Sequence, residues 1–186
     1  SYATCVLAPN AGPQTLDGTN TWVLRAPGAT GVTVIDPGPN DIAHWQQVAR
    51  EVEQRGARIE RILLTHGHLD HSAGARLFAE AAGCTVQALD PAHQYGSEGL
   101  VGGDVIDESG VEIHVVATPG HTSDSLSFYL PQDGSILTGD TVLGRITLRA
   151  GLGDAAPLVA GPPRPPGPPR HRAARRRPRK QHPSSL

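Results

Sequence analysis

The spacing of hydrophobic residues predicts strands at the start of the chain, then alternating helices and strands, and finally a run of strands. Short apolar runs rich in β-branched residues and bounded by turn-forming residues predict the strands. They cover residues 5–8, 21–25, 32–35, 59–64, 85–89, 105–106, 111–117, 125–130 and 135–138. Apolar alternation within them is imperfect, as in strands that are covered on both faces. This order predicts an α/β fold in which helices pack outside the sheets.

Two segments between the strands have the spacing or composition of helices. In residues 40–55 apolar side chains recur at helical intervals, Asn40 or Asp41 can cap the start, and Gly56 can end the helix. Residues 73–82 have helical composition, and Gly83 closes them. Both helices therefore connect successive predicted strands.

The composition changes after about residue 150. Residues 1–154 contain all 18 acidic residues and eight arginines, a net charge of −10, whereas residues 155–186 carry seven arginines and one lysine, a net charge of +8. Residues 157–186 also contain nine prolines, which lack a backbone donor. We therefore expect one domain over residues 1–150 and a disordered, Pro/Arg-rich tail over residues 151–186. Two hypotheses for the tail are an out-of-frame sequence beginning near Gly144 or Arg145, and a basic arm that binds nucleic acid.

Other features of the composition concern the location of the protein. The chain has no run of 18 apolar residues, so no membrane span is expected, and no secretory signal is visible. It contains no Met and begins at Ser1, which indicates processing or a cut. Cys5 and Cys84 are too few for a disulfide framework, so we expect reduced thiols in a cytoplasmic protein. The sequence leaves the oligomeric state open.

The residues that carry chemistry begin directly after the predicted strand 59–64. His66, His68, Asp70 and His71 lie within six residues, and neutral imidazole and carboxylate are good zinc ligands. Side chains alternate along an extended loop, so His66 and His68 point the same way and can bind one ion. Asp70 and His71 follow where the chain turns into a helix, and they can face an adjacent second ion.

Two later segments fit the same plan. His121 stands in a Pro-Gly turn after the strand 111–117, and Asp140 follows the strand 135–138. A lone loop histidine or aspartate is usually only solvated, but together with the first cluster these two residues indicate a metal site.

With these motifs the chain resembles the metallo-β-lactamase superfamily over residues 1–145, which implies an αβ/βα sandwich with metals at the sheet edges. The segments 19–22 and 139–144 are most similar to the branch of beta-lactamase-like protein 2. By this resemblance Asp140 bridges two metals, and Asp36 is a buried residue that orients a ligand. The implied ligands are His66, His68 and His121 for the first metal, and Asp70 and His71 for the second.

The resemblance implies a metal-dependent hydrolase that binds one or two zinc ions, with iron or manganese as alternatives. A metal-activated water would attack an ester, thioester, amide or phosphodiester, and Asp70 would be the catalytic residue that orients it. The expected partner is a small-molecule substrate. Nucleic acid is the alternative, bound by the basic tail or cleaved by a ribonuclease-like activity.

The chain departs from the family pattern after Gly144. The family supplies a further late histidine to the second metal, but only His171 and His182 follow Asp140, and neither is assigned as a ligand. We therefore expect a sandwich that is incomplete in its second half. Two alternative functions remain, a mononuclear iron dioxygenase using His66, His121 and Asp140, and an inactive truncated product that binds metal. Three further histidines have no motif around them and are expected to have structural or surface roles: His44, His93 and His114.

Overall fold

A computed structural model of the protein describes residues 2–142, which form two β-sheets and three α-helices. The first sheet has five strands in the order β1 (Ala3–Leu7), β2 (Asn20–Leu24), β3 (Gly31–Ile35), β4 (Arg58–Leu63) and β5 (Thr85–Gln87). The second has four strands in the order β6 (Val105–Glu108), β7 (Val111–Ala117), β8 (Leu126–Leu130) and β9 (Ser135–Leu137). Strands β3, β4 and β5 are parallel, and the remaining pairs are antiparallel. The nine strands lie within three residues of the predicted bounds.

The helices connect the parallel strands, as the sequence predicted. Helix α1 (Ile42–Glu53) is capped by Asp41, whose side chain accepts hydrogen bonds from the backbone of Ala43 and His44. Helix α3 (Ala75–Ala82) ends at Gly83, which has a φ of 68°. A short helix α2 (Leu69–Ser72) precedes it and was expected only as a turn into a helix.

The core has two parts, one on each face of the first sheet. Trp45 of α1 stacks on Phe78 of α3 at 5.9 Å, within the part between the helices and the first sheet. The other part lies between the two sheets and contains Phe128 of β8. Strand β3 is buried throughout because Val34 faces the helices and Ile35 faces the second sheet. The predicted α/β fold is therefore confirmed as a layer of helices on two stacked sheets.

The outer face of the second sheet carries a row of side chains aligned across its four strands. The paired residues are Val105, His114, Tyr129 and Ile136. Three of them are exposed large hydrophobic residues, since Val105 is 57% and Ile136 50% exposed, and Tyr129 also reaches solvent. The α-helices of residues 2–142 pack instead on the first sheet. Within the described residues this row is therefore open to solvent.

Several expectations fall on residues outside the described range. The tail over residues 151–186, the change of frame near Gly144 and the two late histidines His171 and His182 all remain predictions. Within residues 2–142, no helix is long and apolar enough to cross a membrane. The two cysteines are free thiols, Cys5 exposed and Cys84 buried, and burial raises the pKa of Cys84 to about 11.

Candidate metal centre

The histidine motif lies at the end of β4, where the two sheets meet. The backbone nitrogen of Leu64 donates to the carbonyl of Gln87, the last residue of β5, which extends the pairing of the first sheet. The backbone of Leu126, at the start of β8, donates to the carbonyl of Thr65 over 2.7 Å. The loop that begins at His66 is therefore fixed to both sheets, and the segments that carry the later residues approach it from the second sheet.

The structure brings all six predicted ligands together in two groups that share Asp140. The ligand atoms in each group lie within 4.8 Å of one another. Asp140 presents its Oδ2 to Nε2 of His121 at 3.5 Å and its Oδ1 to Nε2 of His71 at 3.3 Å. The first group is His66, His68, His121 and Asp140, and the second is Asp70, His71 and Asp140.

A hydrogen-bond network behind the loop sets the tautomers of two of these histidines. Asp36 accepts hydrogen bonds from the backbone nitrogen and the hydroxyl of Thr65, at 2.8 and 2.6 Å. Because the single hydroxyl proton of Thr65 goes to Asp36, Nδ1 of His66 must donate to that hydroxyl, over 3.0 Å. Nδ1 of His71 also donates to Asp36, over 2.9 Å. Both rings therefore turn Nε2, the atom through which each would coordinate a metal, towards the two groups.

The state of His66 fits a metal ligand. Its Nε2 is buried and has no hydrogen-bond partner among residues 2–142, although buried polar atoms are nearly always paired. Burial and the neighbouring charge of His71 lower the pKa of His66 to about 4, so the ring is neutral at physiological pH. An unpaired, neutral imidazole nitrogen facing two further histidines and a carboxylate is a donor set that zinc or iron accepts.

The second group is strongly acidic around one imidazole. Burial opposes a positive charge on His71, but the carboxylates of Asp36, Asp140 and Asp70 outweigh it and raise its pKa to about 12. The hydrogen bond with His71 is the main cause that lowers the pKa of Asp70. For Asp140, the hydrogen bond with His71 lowers the pKa although burial opposes it. Three carboxylates around one ring favour a cation at this position.

The last two residues of the groups depend on tight turns. Gly139 has a φ of 51°, and a Cβ at this position would lie 2.5 Å from Oγ1 of Thr65. This close approach brings Asp140 to the histidine loop. On the turn that carries His121, the backbone of Gly120 donates to Thr122.

Two residues next to the motif were missed by the sequence analysis. A Cβ on Gly67 would lie 2.4 Å from Nε2 of His93 and 3.2 Å from Oδ2 of Asp124. Burial opposes the charge of Asp124, but its interactions with Thr122 and the backbone of Gly67 outweigh burial and lower its pKa. The sequence signal for a close neighbour was Gly67, since a glycine within the motif leaves room for another side chain. The sequence does not show which residue fills that room.

The other two histidines without a motif differ from each other. His114 is partly exposed on the outer face of β7, packs edge-on against Tyr129 and pairs with Glu112. His44 is only 1% exposed and is hydrogen-bonded to Thr21 at 2.8 Å. A surface role is therefore excluded for His44, and its role is within the core.

Comparisons with known proteins agree with this geometry. The family model described as the metallo-beta-lactamase superfamily matches residues 14–181. The chain is 39% identical over 150 residues to an atrochrysone carboxyl ACP thioesterase from Aspergillus fumigatus, covering 76% of this chain and 45% of that protein. It is 34% identical over 122 residues to a hydroxyacylglutathione hydrolase from Idiomarina loihiensis, covering 65% and 46%. The chain thus spans less than half the length of these relatives.

Solved structures resemble the fold at lower sequence identity. ETHE1 from Myxococcus xanthus matches with a TM-score of 0.62 and 22% identity, covering 77% of this chain and 59% of that one. A metallo-beta-lactamase family protein from Thermus thermophilus matches with a TM-score of 0.65 and 21% identity, covering 81% and 63%. At these identities the likeness concerns the fold alone.

Proposed function

The chain belongs to the metallo-beta-lactamase superfamily, and we propose that it is a metal-dependent hydrolase that cleaves a thioester with a metal-activated water. The observation that carries this proposal is the position of Asp140, whose two carboxylate oxygens face two different groups of ligand atoms. The proposed ligands are His66, His68, His121 and Asp140 for one cation, and Asp70, His71 and Asp140 for the other.

Divalent cations held by these groups would supply a water of lowered pKa and would polarise the bond to be cleaved. The residues of the chain have separate tasks. Asp70, a carboxylate with a lowered pKa, is the proposed catalytic residue, because it can accept a hydrogen bond from the attacking water and so orient it. Asp36 holds His71 directly and His66 through Thr65, so that Nε2 of both rings faces the site. We propose zinc as the metal, with iron or manganese as alternatives.

A cleft beside the second group supports a small-molecule substrate. Its volume is about 450 Å³, and its walls include Asp70, His71 and Asp140. Leu16 and Trp22 line other parts of it, so an apolar acyl group can lie next to the reacting bond. A thioester is the proposed substrate class because both relatives described above are named for hydrolysis of an acyl-thiol compound.

A mononuclear iron dioxygenase is the second candidate. His66, His121 and Asp140 belong to one group of ligand atoms and form a two-histidine, one-carboxylate set, which is typical of such enzymes. Asp70 and His71 lie against the other oxygen of Asp140, and this placement favours the hydrolase. A single iron bound to the first group would give Asp70 and His71 no role in metal binding. The third hypothesis is a chain that binds metal without turnover. The cytoplasmic location remains a proposal, supported by the two free thiols.

Metal analysis of the full chain tests these proposals together with a thiol-release assay on an acyl thioester of a small thiol. We expect two zinc ions per chain and thiol release that depends on them. His66→Ala and His121→Ala should each lower the metal content and reduce thiol release by about 100-fold or more, since both remove a proposed ligand. His114→Ala is the matched control, because His114 lies on the strand that leads to His121 but faces away from the site.

The alternatives give different results in the same experiment. One iron per chain, with dioxygen consumption in place of thiol release, supports the dioxygenase. Metal binding without either activity supports the inactive product. The ligand assignment is wrong if both histidine variants keep the metal content and activity of the control.

A further inference from the structure

A chain of buried hydrogen bonds runs from helix α1 to the proposed metal centre. His44 of α1 contacts the hydroxyl of Thr21 through its Nε2 at 2.8 Å, and that hydroxyl donates to the backbone carbonyl of Asp36 over 2.7 Å. The carboxylate of Asp36 in turn accepts from Thr65 and from Nδ1 of His71. Thr21 is fully buried and His44 is 1% exposed, so solvent does not compete for these bonds.

The direction of the bonds fixes the state of the His44 ring. A threonine hydroxyl has one proton, and that of Thr21 is donated to Asp36, so Nε2 of His44 must be the donor to Thr21. Its Nδ1 then carries only a lone pair, and it has no hydrogen-bond partner among residues 2–142. Burial also lowers the pKa of His44, although Asp41 opposes this. The ring is therefore a neutral donor with one defined tautomer.

This series of hydrogen bonds acts on the backbone of Asp36. Asp36 has a φ of 50°, a conformation that residues with side chains adopt rarely and keep only when their surroundings hold it. Its own amide donates to the carbonyl of Leu63 over 3.0 Å, and its carbonyl accepts from Thr21. The peptide groups on both sides of its Cα are thus held, which fixes the direction of the carboxylate that orients His71.

We infer that Thr21 and His44 are positioning residues that hold Asp36 in its left-handed conformation and thereby set the second group of ligands. This inference rests on the proposed metal centre. Within the first group, His68 and His121 contact each other directly at 2.9 Å, and in the described part of the chain neither is hydrogen-bonded to Asp36, so their placement depends less on it. Loss of the Thr21 hydroxyl should therefore weaken binding of one cation more than that of the other.

Stepwise metal affinity, measured by competition with a chromophoric chelator and zinc, tests the inference on the full chain. Thr21→Val keeps the shape of the side chain and removes the hydroxyl, and we expect it to weaken the second of two binding steps about tenfold, as loss of a residue that orients a ligand does. Thr21→Ser keeps the hydroxyl and should restore the wild-type value. Thr33→Val is the matched control, since the Thr33 hydroxyl is buried on the adjacent strand β3 and has no hydrogen-bond partner among the described residues.

Nuclear magnetic resonance of the histidine rings in metal-free protein gives a second readout that is independent of metal binding. We expect His44 in the Nε2–H tautomer, and a shift of the Nδ1–H signal of His71 in Thr21→Val but not in Thr33→Val. His44→Gln, which keeps a side-chain donor, should leave the His71 signal nearer to the wild type than His44→Leu.

The outcomes separate this inference from the proposed function. Failure of the wild type to bind two ions contradicts the two-metal proposal, and the ring signals still decide the role of Thr21. If Thr21→Val and Thr33→Val weakened both binding steps to the same extent, the cause would be a general loss of packing, and the inference would be overturned. An unchanged His71 signal in Thr21→Val would overturn it as well. So would His44 in the Nδ1–H tautomer in the wild type, a result that does not depend on the folding of any variant.

Discussion

Replacement of Gly139 by alanine tests whether the close approach of two loops places Asp140. Gly139 lies directly before Asp140, and its φ of 51° is a conformation that favours glycine. A Cβ there would lie 2.5 Å from Oγ1 and 2.8 Å from Cβ of Thr65. Thr65 cannot easily retreat, because its hydroxyl and backbone nitrogen are both bonded to Asp36.

The size of the expected effect follows from these distances. Non-bonded carbons normally lie about 3.5–4.0 Å apart, so the two loops must separate by about 1 Å. The left-handed backbone costs an alanine about 1–2 kcal/mol, and the overpacking adds about 1–3 kcal/mol. Asp140 lies 3.3 Å from His71 and 3.5 Å from His121, so a shift of this size disturbs both groups. We expect activity to fall about 100-fold, as for other misplacements of about 1 Å.

Gly134→Ala separates the clash from the backbone effect. Gly134 lies in the turn before β9 with a φ of 71°, and a Cβ there would meet nothing within 4 Å. Urea unfolding of the metal-free proteins should show a loss of about 1–2 kcal/mol in Gly134→Ala and about 2–5 kcal/mol in Gly139→Ala. Zinc affinity should fall only in Gly139→Ala. Equal stability and equal zinc affinity in the two variants would refute the reasoning.

Two further predictions concern neighbours of the site. Gly67→Ala should destabilise the protein by about 1–3 kcal/mol, because its Cβ would meet the His93 ring. Most of this loss should disappear when His93 is also replaced by alanine. Additive losses in a double-mutant cycle of unfolding free energies would contradict the contact. Because the pKa of His44 is lowered in the folded state, the unfolded state takes up the His44 proton first as the pH falls. His44 therefore leaves the free energy of unfolding unchanged above pH 6.5. Between pH 6.5 and the lowered pKa it reduces that free energy by at most about 1.4 kcal/mol per pH unit. The free energy of unfolding should therefore fall more between pH 7 and pH 5.5 in the wild type than in His44→Gln. Equal falls in the two proteins would contradict this.

The sequence predicted most of the fold because its signals are local. Apolar runs, turn residues and the glycines after the helices depend on the backbone preferences of a few neighbouring residues, and all nine strands and both longer helices were found near their observed bounds. The choice between Asn40 and Asp41 as the cap of α1 was open, and Asp41 makes both hydrogen bonds. The short helix α2 was not resolved as a separate helix, since four residues contain too little periodicity.

The grouping of the proposed ligands was predictable for a different reason. His66, His68, Asp70 and His71 stand so close in sequence that their grouping needed no knowledge of the fold. His121 and Asp140 were added because each stands in a turn directly after a predicted strand, and the structure brings them to the first four. His93 and His44 gave no such signal, because their neighbours lie 20 or more residues away and are determined only by how α1, β2 and the loop after β5 pack together.

The network around Asp36 explains why the proposed metal ligands and the core residues cannot be treated separately in this protein. One carboxylate accepts the Nδ1 proton of His71 and the hydroxyl proton of Thr65, and that hydroxyl then accepts from Nδ1 of His66. Each imidazole can direct its Nε2 lone pair into the site only while its Nδ1 donates to this network. The carboxylate direction depends in turn on a left-handed backbone that bonds from Leu63 and Thr21 hold in place. The chemistry of the surface cleft therefore depends on hydrogen bonds made entirely within the core.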